Sequence, residues 1–260
     1  MHPQSDQADP RSCAVVILAA GKGTRMKSEK PKVAVELAGK PLLAHVLDHL
    51  YAAGFRKFSI IVGYKREQVQ AIAEPFRSRP DVDLSFAIQE EQKGTAHAFL
   101  SAEGTLRDHV GPVMVASGDM PAIRPETYQA LASFHATGAN RATVLSAMLE
   151  DPTGYGRIVR DAAHKLSAIV EEKDASEQTR AIHEVNTGTY IFECPEVFSV
   201  LREVGSNNAQ GEYYLPDVVA LYRARGQGVN ALSLDDSGEA QGVNSPVELN
   251  RLEERLKAMR

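Results

Sequence analysis

Short apolar runs alternate with longer amphipathic segments along the first half of the chain. Apolar runs at residues 14–19, 58–62, 84–88 and 113–116 predict buried strands. Residues 41–53, 65–76 and 95–103 lie between these runs and carry apolar positions at helical spacing. Strands that alternate with helices predict a mostly parallel sheet covered on both faces.

The pattern changes after about residue 140, where short strands become more frequent. Residues 141–148, 157–160, 166–170 and 188–192 predict strands that include hairpins, and residues 216–224 and 247–259 predict helices. We therefore expect an α/β, Rossmann-like fold: a mixed, mostly parallel sheet flanked by helices, with a small β-rich addition that closes over a pocket. No long linker interrupts the sequence. We expect one domain at residues 13–260 and a disordered tail at residues 1–12.

Composition narrows the class of protein. The 260 residues are 43% hydrophobic and 24% charged, and 29 Lys and Arg against 34 Asp and Glu give a formal charge of -5. A global basic field that could hold nucleic acid is therefore excluded. Cys13 and Cys194 lack metal-ligand spacing and are expected to be buried free thiols. The apolar run at residues 14–20 is too short to span a membrane, so we expect a cytoplasmic protein without a membrane partner.

The first apolar strand leads directly into a glycine-rich, cationic loop. Gly21 and Gly23 allow the backbone to bend and its N–H groups to approach phosphate oxygens. Lys22, Arg25 and Lys32 add positive charge beside it. This arrangement predicts a phosphate site, although a basic strand-to-helix turn would have the same composition.

The loop differs from two common phosphate-binding motifs. The dinucleotide fingerprint and the Walker A loop would each need glycine at position 26, which is Met26. Any phosphate binding here therefore belongs to another class of site.

A second candidate is the carboxylate of Asp119, which follows the apolar run at residues 113–116. An aspartate at a strand end can present oxygen ligands to magnesium that also contacts phosphate. A turn-forming aspartate is the alternative. Because the phosphate loop is expected at the same sheet edge, we favour metal binding.

Two further groups of polar residues follow predicted strands. Gln89 has a donor and an acceptor that suit the edge of a pyrimidine, and Thr95 is expected to cap the next helix. Segments 151–158, 169–174 and 184–188 are punctuated by glycine and carry carboxylates and amides suited to a hydroxyl-rich ligand. Hairpin turns with solvated charges are the alternative for these three segments.

The order of these blocks resembles the nucleotide-sugar pyrophosphorylases, which have a GT-A-like fold. Among members of this family, the order of the blocks closely resembles the N-terminal uridylyltransferase domain of bacterial N-acetylglucosamine-1-phosphate uridyltransferases. The resemblance runs from residue 14 to about 256 and includes L-A-A-G-K-G-T-R-M, E-Q-K-G-T, G-D-M-P, D-P-T-G-Y-G-R-I, V-E-E-K-D, E-V-N-T-G and E-A-Q-G-V-N. The co-occurrence of these blocks is much more specific than any one of them.

The resemblance implies a role for each matching residue. Residues 13–140 would mainly bind nucleotide, residues 141–245 mainly sugar, and residues 246–260 would form a C-terminal helix. Catalytic roles fall on Arg25, Lys32 and Asp119, and the metal ligands would be Asp119 and Asn244. Nucleotide would be bound by Leu18, Ala19, Ala20, Gly21, Gly23, Gln89, Gly94 and Thr95, and sugar by Gly156, Glu171, Asn186 and Thr187.

The implied reaction is Mg²⁺-dependent and joins UTP to N-acetylglucosamine 1-phosphate, with no obligatory protein partner. The same chemistry on a glucose or galactosamine derivative remains open, as does a noncatalytic nucleotide-sugar sensor. No hexapeptide repeat follows residue 245. We therefore expect neither the left-handed β-helix of the bifunctional relatives nor its acetyltransferase activity.

Overall fold

The computed structural model describes residues 9–26 and 28–258. The strands in these ranges are β1 (Ala14–Leu18), β2 (Glu36–Leu37), β3 (Lys40–Pro41), β4 (Lys57–Val62), β5 (Asp83–Ile88), β6 (Gly111–Ser117), β7 (Ala142–Met148), β8 (Arg157–Arg160), β9 (Leu166–Val170), β10 (Glu184–Cys194) and β11 (Val229–Ser233). The α-helices are α1 (Leu42–Ala52), α2 (Arg66–Ala73), α3 (Thr95–Leu100), α4 (Pro125–Thr137), α5 (Glu177–Arg180), α6 (Glu196–Leu201), α7 (Asp217–Ala224) and α8 (Pro246–Ala258).

One mixed sheet organises the described part of the chain. Its nine strands include the path β11-β7-β10-β6-β1-β4-β5, and the β8–β9 hairpin is attached through β10. Strands β1, β4, β5 and β6 are mutually parallel, β11 is parallel to β7, and β10 is antiparallel to both β6 and β7. Strands β2 and β3 form a separate pair. The predicted α/β class with a mostly parallel mixed sheet is confirmed.

Strand β1 is apolar throughout because helices cover both faces of the sheet. Val15 and Ile17 belong to the core that includes side chains of α1, α2 and α4. Ala14 and Val16 belong to the opposite core, which includes side chains of α3, α6 and α7. Successive residues of a strand point to opposite faces, so both must be apolar in a three-layer arrangement.

The β-rich second half is part of the same sheet. Strand β10 starts earlier than the segment predicted at residues 188–192 and pairs with β7 over most of its length. The pairing register shifts between Asn186 and Tyr190, where Gly188 has a φ of 77°. Such a bulge redirects side chains out of the regular ladder, and here it lies beside the predicted sugar residues.

The predicted boundaries of the N-terminal tail and of α2 also differ from the structure, and the helix predicted at residues 95–103 ends at Leu100. Residues 1–8 of the predicted disordered tail lie outside the described residues. Pro10–Ser12 forms a 3₁₀ turn, in which Arg11 N donates to the Asp9 carboxylate at 2.9 Å. The helix expected at residues 65–76 ends at Ala73 and continues as a 3₁₀ turn, Glu74–Ser78, because Pro75 has no N–H to donate. Met259, the predicted end of the last helix, lies outside the described residues.

None of the helices among residues 9–26 and 28–258 is long and apolar enough to cross a membrane.

Both cysteines are buried and free, as expected from the sequence. Burial raises the pKa of the Cys13 thiol to about 12 and that of Cys194 to about 11. Both thiols are therefore protonated near neutral pH and act as small packing groups.

Candidate active site

The candidate site lies at the carboxyl ends of the parallel strands. The glycine loop follows β1, Gln89 follows β5, and Asp119 follows β6. Because these three strands run in the same direction within one sheet, their carboxyl ends share an edge. This is the usual ligand-binding edge of an open α/β sheet.

Gly23 allows Lys32 to enter this edge. It has a φ of 67°, and a Cβ at this position would lie 2.5 Å from the Lys32 Cβ. Any side chain at position 23 would therefore displace Lys32. A Cβ at Gly21, in contrast, would meet no protein atom within 4 Å, and Gly21 lines a cavity. A ligand can therefore approach the backbone closely at Gly21.

Four polar side chains converge where the glycine loop meets the end of β6. Lys32 Nζ forms an ion pair with Asp119 and lies 2.6 Å from Asn244 Oδ1. Arg25 Nη2 donates to the same Asn244 oxygen at 3.1 Å. The two predicted metal ligands therefore already share one cation, the Lys32 ammonium.

Backbone contacts fix Asn244 beside Asp119. Val243 N donates to the Asp119 carbonyl at 3.1 Å, which places the next residue against the end of β6. Glu248, in the first turn of α8, accepts from Asn244 N at 2.5 Å, and its own N–H donates to Ser245 Oγ at 3.3 Å. Ser245 and Glu248 thus form a variant of the capping box. Glu248 was not predicted as a site residue, although the S-P-V-E spacing signals such a helix start.

A first cavity, of about 330 Å³, is lined by every residue predicted to bind nucleotide. Lys32, Gln92, Ser117, Asp119 and Glu212 also line it, and Gln92, Ser117 and Glu212 were not predicted. Its volume lies in the usual range for small-ligand sites. The predicted nucleotide residues that it brings together are Leu18, Ala19, Ala20, Gly21, Gly23, Gln89, Gly94 and Thr95.

A second cavity, of about 210 Å³, is lined by all four residues predicted to bind sugar, together with Arg25 and Asn244. Ser117 and Asp119 line both cavities, so the two spaces meet at the end of β6. Tyr155 was not predicted but also lines the second cavity. The predicted sugar residues in its wall are Gly156, Glu171, Asn186 and Thr187.

Of the three cations predicted beside the phosphate loop, Lys22 is directed elsewhere. Its ammonium lies 5.4 Å from the centroid of the Tyr64 ring, and Lys65 lies 5.5 Å from the same centroid. Lys22 lines neither cavity. The positive charge beside Asp119 therefore comes from Arg25 and Lys32.

The start of α3 differs from the expected capping by Thr95. Gly94 occupies the N-cap position, and Thr95 is the first helical residue. The Thr95 hydroxyl instead accepts from Leu215 N at 3.0 Å, and Ala96 N donates to the Tyr213 carbonyl at 2.9 Å. These bonds tie the segment before α7 to the wall of the first cavity.

The wall of the second cavity contains a carboxylate, Glu171, in an environment that disfavours its charged form. Burial, and then the nearby carboxylates led by Asp217, raise the pKa of Glu171. A Cβ on Gly156 would lie 3.2 Å from Glu171 Oε1, so glycine leaves this oxygen accessible. A buried carboxylate has lost hydrogen bonds to water, so hydroxyl donors supplied by a ligand would stabilise its charged form.

Asn186 and Thr187 are already partly engaged within the protein. Asn186 Nδ2 donates to the Tyr190 hydroxyl at 2.6 Å, and its Oδ1 accepts from Gly188 N at 2.9 Å. One N–H and one lone pair of the amide remain for a ligand. The Thr187 hydroxyl donates to the Leu145 carbonyl at 2.8 Å, so its bond anchors the bulge to β7.

The donor set fits Mg²⁺ held jointly with phosphate. Among the described residues, no cluster of three His, Cys, Asp or Glu side chains could hold a metal ion unaided. Mg²⁺ commonly uses only one or two protein carboxylates, with water and phosphate oxygens completing its coordination. Asp119 and Asn244 offer one carboxylate and one amide oxygen, and their shared contact with the Lys32 ammonium demonstrates that both oxygens can face one cation.

A pair of histidines four residues apart on α1 has the spacing of a helical metal-binding pair. His45 Nε2 bonds the Leu37 carbonyl at 2.9 Å, whereas His49 Nδ1 bonds the Ile123 carbonyl at 2.8 Å. Each ring is thus committed to a different carbonyl, and the pair lines neither cavity.

Comparisons with known proteins show the family to which the chain is similar. Residues 14–239 match the family model described as nucleotidyl transferase. The bifunctional protein GlmU of Oceanobacillus iheyensis is 44% identical over 242 residues, which cover 93% of this chain and 52% of that protein. GlmU of Syntrophotalea carbinolica is 47% identical over 237 residues, covering 91% of this chain and 49% of that protein. The chain thus spans about half the length of these curated relatives.

Similarity of fold extends to a more distant structure. The crystal structure of UDP-glucose pyrophosphorylase complexed with UDP-glucose superposes with a TM-score of 0.75 at 18% identity, covering 95% of this chain and 99% of that one. Identity at this level supports the fold alone. The match over residues 14–239, together with relatives above 40% identity, shows that this chain belongs to the nucleotidyl transferase family.

Proposed function

We propose that the chain transfers a uridylyl group from UTP to N-acetylglucosamine 1-phosphate, releasing pyrophosphate and forming UDP-N-acetylglucosamine. The observation that carries this proposal is the meeting of two cavities at Asp119. One has the lining expected for a nucleotide and the other that expected for a sugar. A phosphate of each substrate would come together at this junction.

The reaction needs no nucleophile from the protein. An anionic oxygen of the sugar phosphate attacks the α-phosphorus of UTP, and the bond from that phosphorus to the oxygen bridging to the β-phosphorus breaks. The electron pair leaves with pyrophosphate. Because the nucleophile is already ionised, a general base is unnecessary, and the work of the site is to position two anions.

Charge neutralisation falls to a few side chains at the junction. Arg25 and Lys32 line the sugar and nucleotide cavities respectively, so a cation stands on each side of the reacting phosphates. Asp119 and Asn244 would hold Mg²⁺, which lowers the repulsion between phosphate oxygens when bound. The Lys32 ammonium would then move from these oxygens towards phosphate.

We propose that the free N–H and lone pair of Asn186 recognise the acetamido group of the sugar. We propose that Glu171 recognises the sugar hydroxyls. The reaction is proposed to be cytoplasmic, where nucleoside triphosphates are available. Discrimination between sugars depends on one or two polar contacts. Related sugar 1-phosphates are therefore expected to compete with N-acetylglucosamine 1-phosphate for the site.

The assay measures pyrophosphate release with Mg²⁺ present. UTP, dTTP, CTP and ATP are each combined with the 1-phosphates of N-acetylglucosamine, glucose, galactosamine and N-acetylgalactosamine. The proposal expects release only when a sugar 1-phosphate is added, with UTP and N-acetylglucosamine 1-phosphate the best pair. Tight binding of a UDP-sugar without pyrophosphate release in any combination would instead indicate a sensor.

A further inference from the structure

The side-chain amide of Gln89 is held in one orientation beside the nucleotide cavity. Gln89 is only 4% exposed and contributes to the cavity wall. Its Nε2 lies 3.2 Å from the Gly94 carbonyl and 3.2 Å from His97 Nδ1. A primary amide nitrogen has two hydrogens, and these two neighbours use both of them. Oε1 is then the end of the amide left for a ligand.

The protonation of His97 follows from the same contacts. The Gly94 carbonyl can only accept, so the nitrogen end of the Gln89 amide must face it. That nitrogen is a donor, and the imidazole atom next to it must therefore be an acceptor. His97 Nδ1 accepts only when the ring is neutral and its proton is on Nε2.

A fixed acceptor distinguishes between pyrimidines. Uracil presents an N3–H donor between two carbonyl groups, whereas cytosine has an unprotonated N3 acceptor beside its amino group. Oε1 of Gln89 can bond the uracil N3–H but would oppose the cytosine N3. Rotation of the amide by 180° would reverse this preference. It would also place Oε1 against the Gly94 carbonyl and the His97 lone pair, which are both acceptors.

We propose that His97 is a positioning residue for base selection, which holds the Gln89 amide so that the cavity favours uracil over cytosine. This inference rests on the proposed function, because it requires the base to lie beside Gln89. The Gly94 carbonyl supplies the other constraint and also accepts from Ala98 N at 3.0 Å within the first turn of α3. Removing the imidazole therefore removes one of two constraints on the amide.

The test compares His97→Phe with His97→Asn. Phenylalanine keeps a planar ring but has no acceptor, whereas the Oδ1 of asparagine can replace Nδ1. We expect the ratio of kcat/KM for UTP to that for CTP to fall about tenfold in His97→Phe, the scale of one lost hydrogen bond. The change should lie mainly in KM, and His97→Asn should recover most of the ratio. A ratio within twofold of the wild-type value in folded His97→Phe overturns the inference.

Ser101→Ala is the matched control on the turn that follows α3. The Ser101 hydroxyl donates its hydrogen bond to the backbone carbonyl of His97 at 3.1 Å rather than to the imidazole. This variant tests local packing without removing the ring acceptor, and its UTP/CTP ratio should equal that of the wild type. A ratio that falls as far as in His97→Phe would assign the effect to packing and overturn the inference.

Two measurements separate this inference from the proposed reaction. Calorimetric affinities for UTP and CTP report base selection without turnover, so a failed sugar-phosphate assay leaves this test intact. Nitrogen NMR of the wild-type protein, at a pH where His97 is neutral, reports its tautomer without any substitution. A proton on Nε2 supports the inference, and a proton on Nδ1 overturns it.

Discussion

Lys32 Nζ lies 2.6 Å from Asn244 Oδ1, although the two residues are 212 positions apart in the sequence. The same ammonium pairs with Asp119, so one lysine bridges both proposed metal ligands. If Asp119 and Asn244 hold the metal as proposed, Lys32 and a divalent cation compete for the same two oxygens. This competition predicts that metal binding and movement of Lys32 are coupled.

Lys32→Met should bind Mn²⁺ more tightly than the wild type when no nucleotide is present. Methionine preserves much of the side-chain length but removes the charge that opposes a second cation. We expect a gain of about tenfold or more in Mn²⁺ affinity, measured by electron paramagnetic resonance, together with a loss of turnover. Lys30→Met is the control, because Lys30 pairs with Glu36 at 3.1 Å and lines neither cavity. Equal Mn²⁺ affinity in wild type and Lys32→Met would refute the competition.

Asp119→Asn should greatly reduce turnover while the protein stays folded. Asparagine matches the shape of aspartate but replaces its carboxylate with a neutral amide. Lys32 therefore loses its anionic partner, and the proposed metal site loses its negative charge. We expect kcat/KM to fall by about 10²-fold or more, and Mn²⁺ binding in the presence of UTP to weaken. Circular dichroism checks the fold. Full Mg²⁺-dependent activity in this variant would show that the metal ligand has been assigned wrongly.

The sequence predicted the parts of the site that follow strands. Apolar runs located β1 and β6, and the direction of parallel strands then brought Gly21 and Asp119 to one edge. The ion pair between Lys32 and Asp119 was not predicted. Contacts between side chains that are far apart in the sequence leave no local sequence pattern. The capping role of Glu248 was not predicted, although the S-P-V-E spacing is a local signal for it.

Local chemistry also explains where the predicted elements were too long. Pro75 marked the end of α2, but the amphipathic pattern continued through it to Phe76. The burial of Arg157 had no signal, because an arginine in a short strand is usually solvated. Its partner Glu172 lies on the adjoining turn, and only the register of the hairpin brings them together.

Gly94→Ala should destabilise the fold and weaken nucleotide binding. Gly94 has a φ of 112°, and a Cβ there would lie 2.5 Å from the Tyr213 carbonyl oxygen and 2.7 Å from Tyr213 N. Backbone atoms cannot move aside cheaply, so we expect a loss of about 1–3 kcal/mol in the free energy of unfolding. Gly104→Ala is the matched control, because apart from its own chain neighbours no atom lies within 4 Å of its Cβ position. Equal melting temperatures for the two variants would contradict this account of Gly94.

The raised pKa of Glu171 predicts opposite effects of pH on substrate binding and on stability. Burial and neighbouring carboxylates raise its pKa above the ordinary value of 4.5. As the pH falls through this raised pKa, Glu171 gains a proton and loses acceptor strength, so KM for the sugar phosphate should rise. In the wild type this rise should exceed that in Glu171→Gln, whereas the second ionisation of the substrate phosphate, near about 6, affects both proteins alike.

The stability effect of Glu171 has the reverse sign. Between pH 4.5 and its raised pKa, the folded state binds more protons at Glu171 than the unfolded state, so its contribution makes stability fall as pH rises. Glu171→Gln should therefore raise the melting temperature at neutral pH, and the gain should disappear in acid. Thermal unfolding at several pH values measures this. A gain that is independent of pH would exclude charge burial as its cause.

Arg157 should control the shape of the sugar cavity without contacting it. Its side chain is 2% exposed, Nη2 lies 2.7 Å from the Glu172 carboxylate, and Nε donates to the Arg180 carbonyl at 3.3 Å. Gly156 precedes it and Glu171 precedes Glu172, so this ion pair joins two walls of the cavity. Arg157→Met should destabilise the protein by about 3 kcal/mol, because it leaves a partly buried carboxylate unpaired. Glu172→Gln leaves the buried Arg157 guanidinium without its counter-ion and should destabilise the protein to a similar degree. Both variants should raise KM for the sugar phosphate more than KM for UTP. Equal increases in both KM values would show that Arg157 supports the whole domain rather than the sugar cavity.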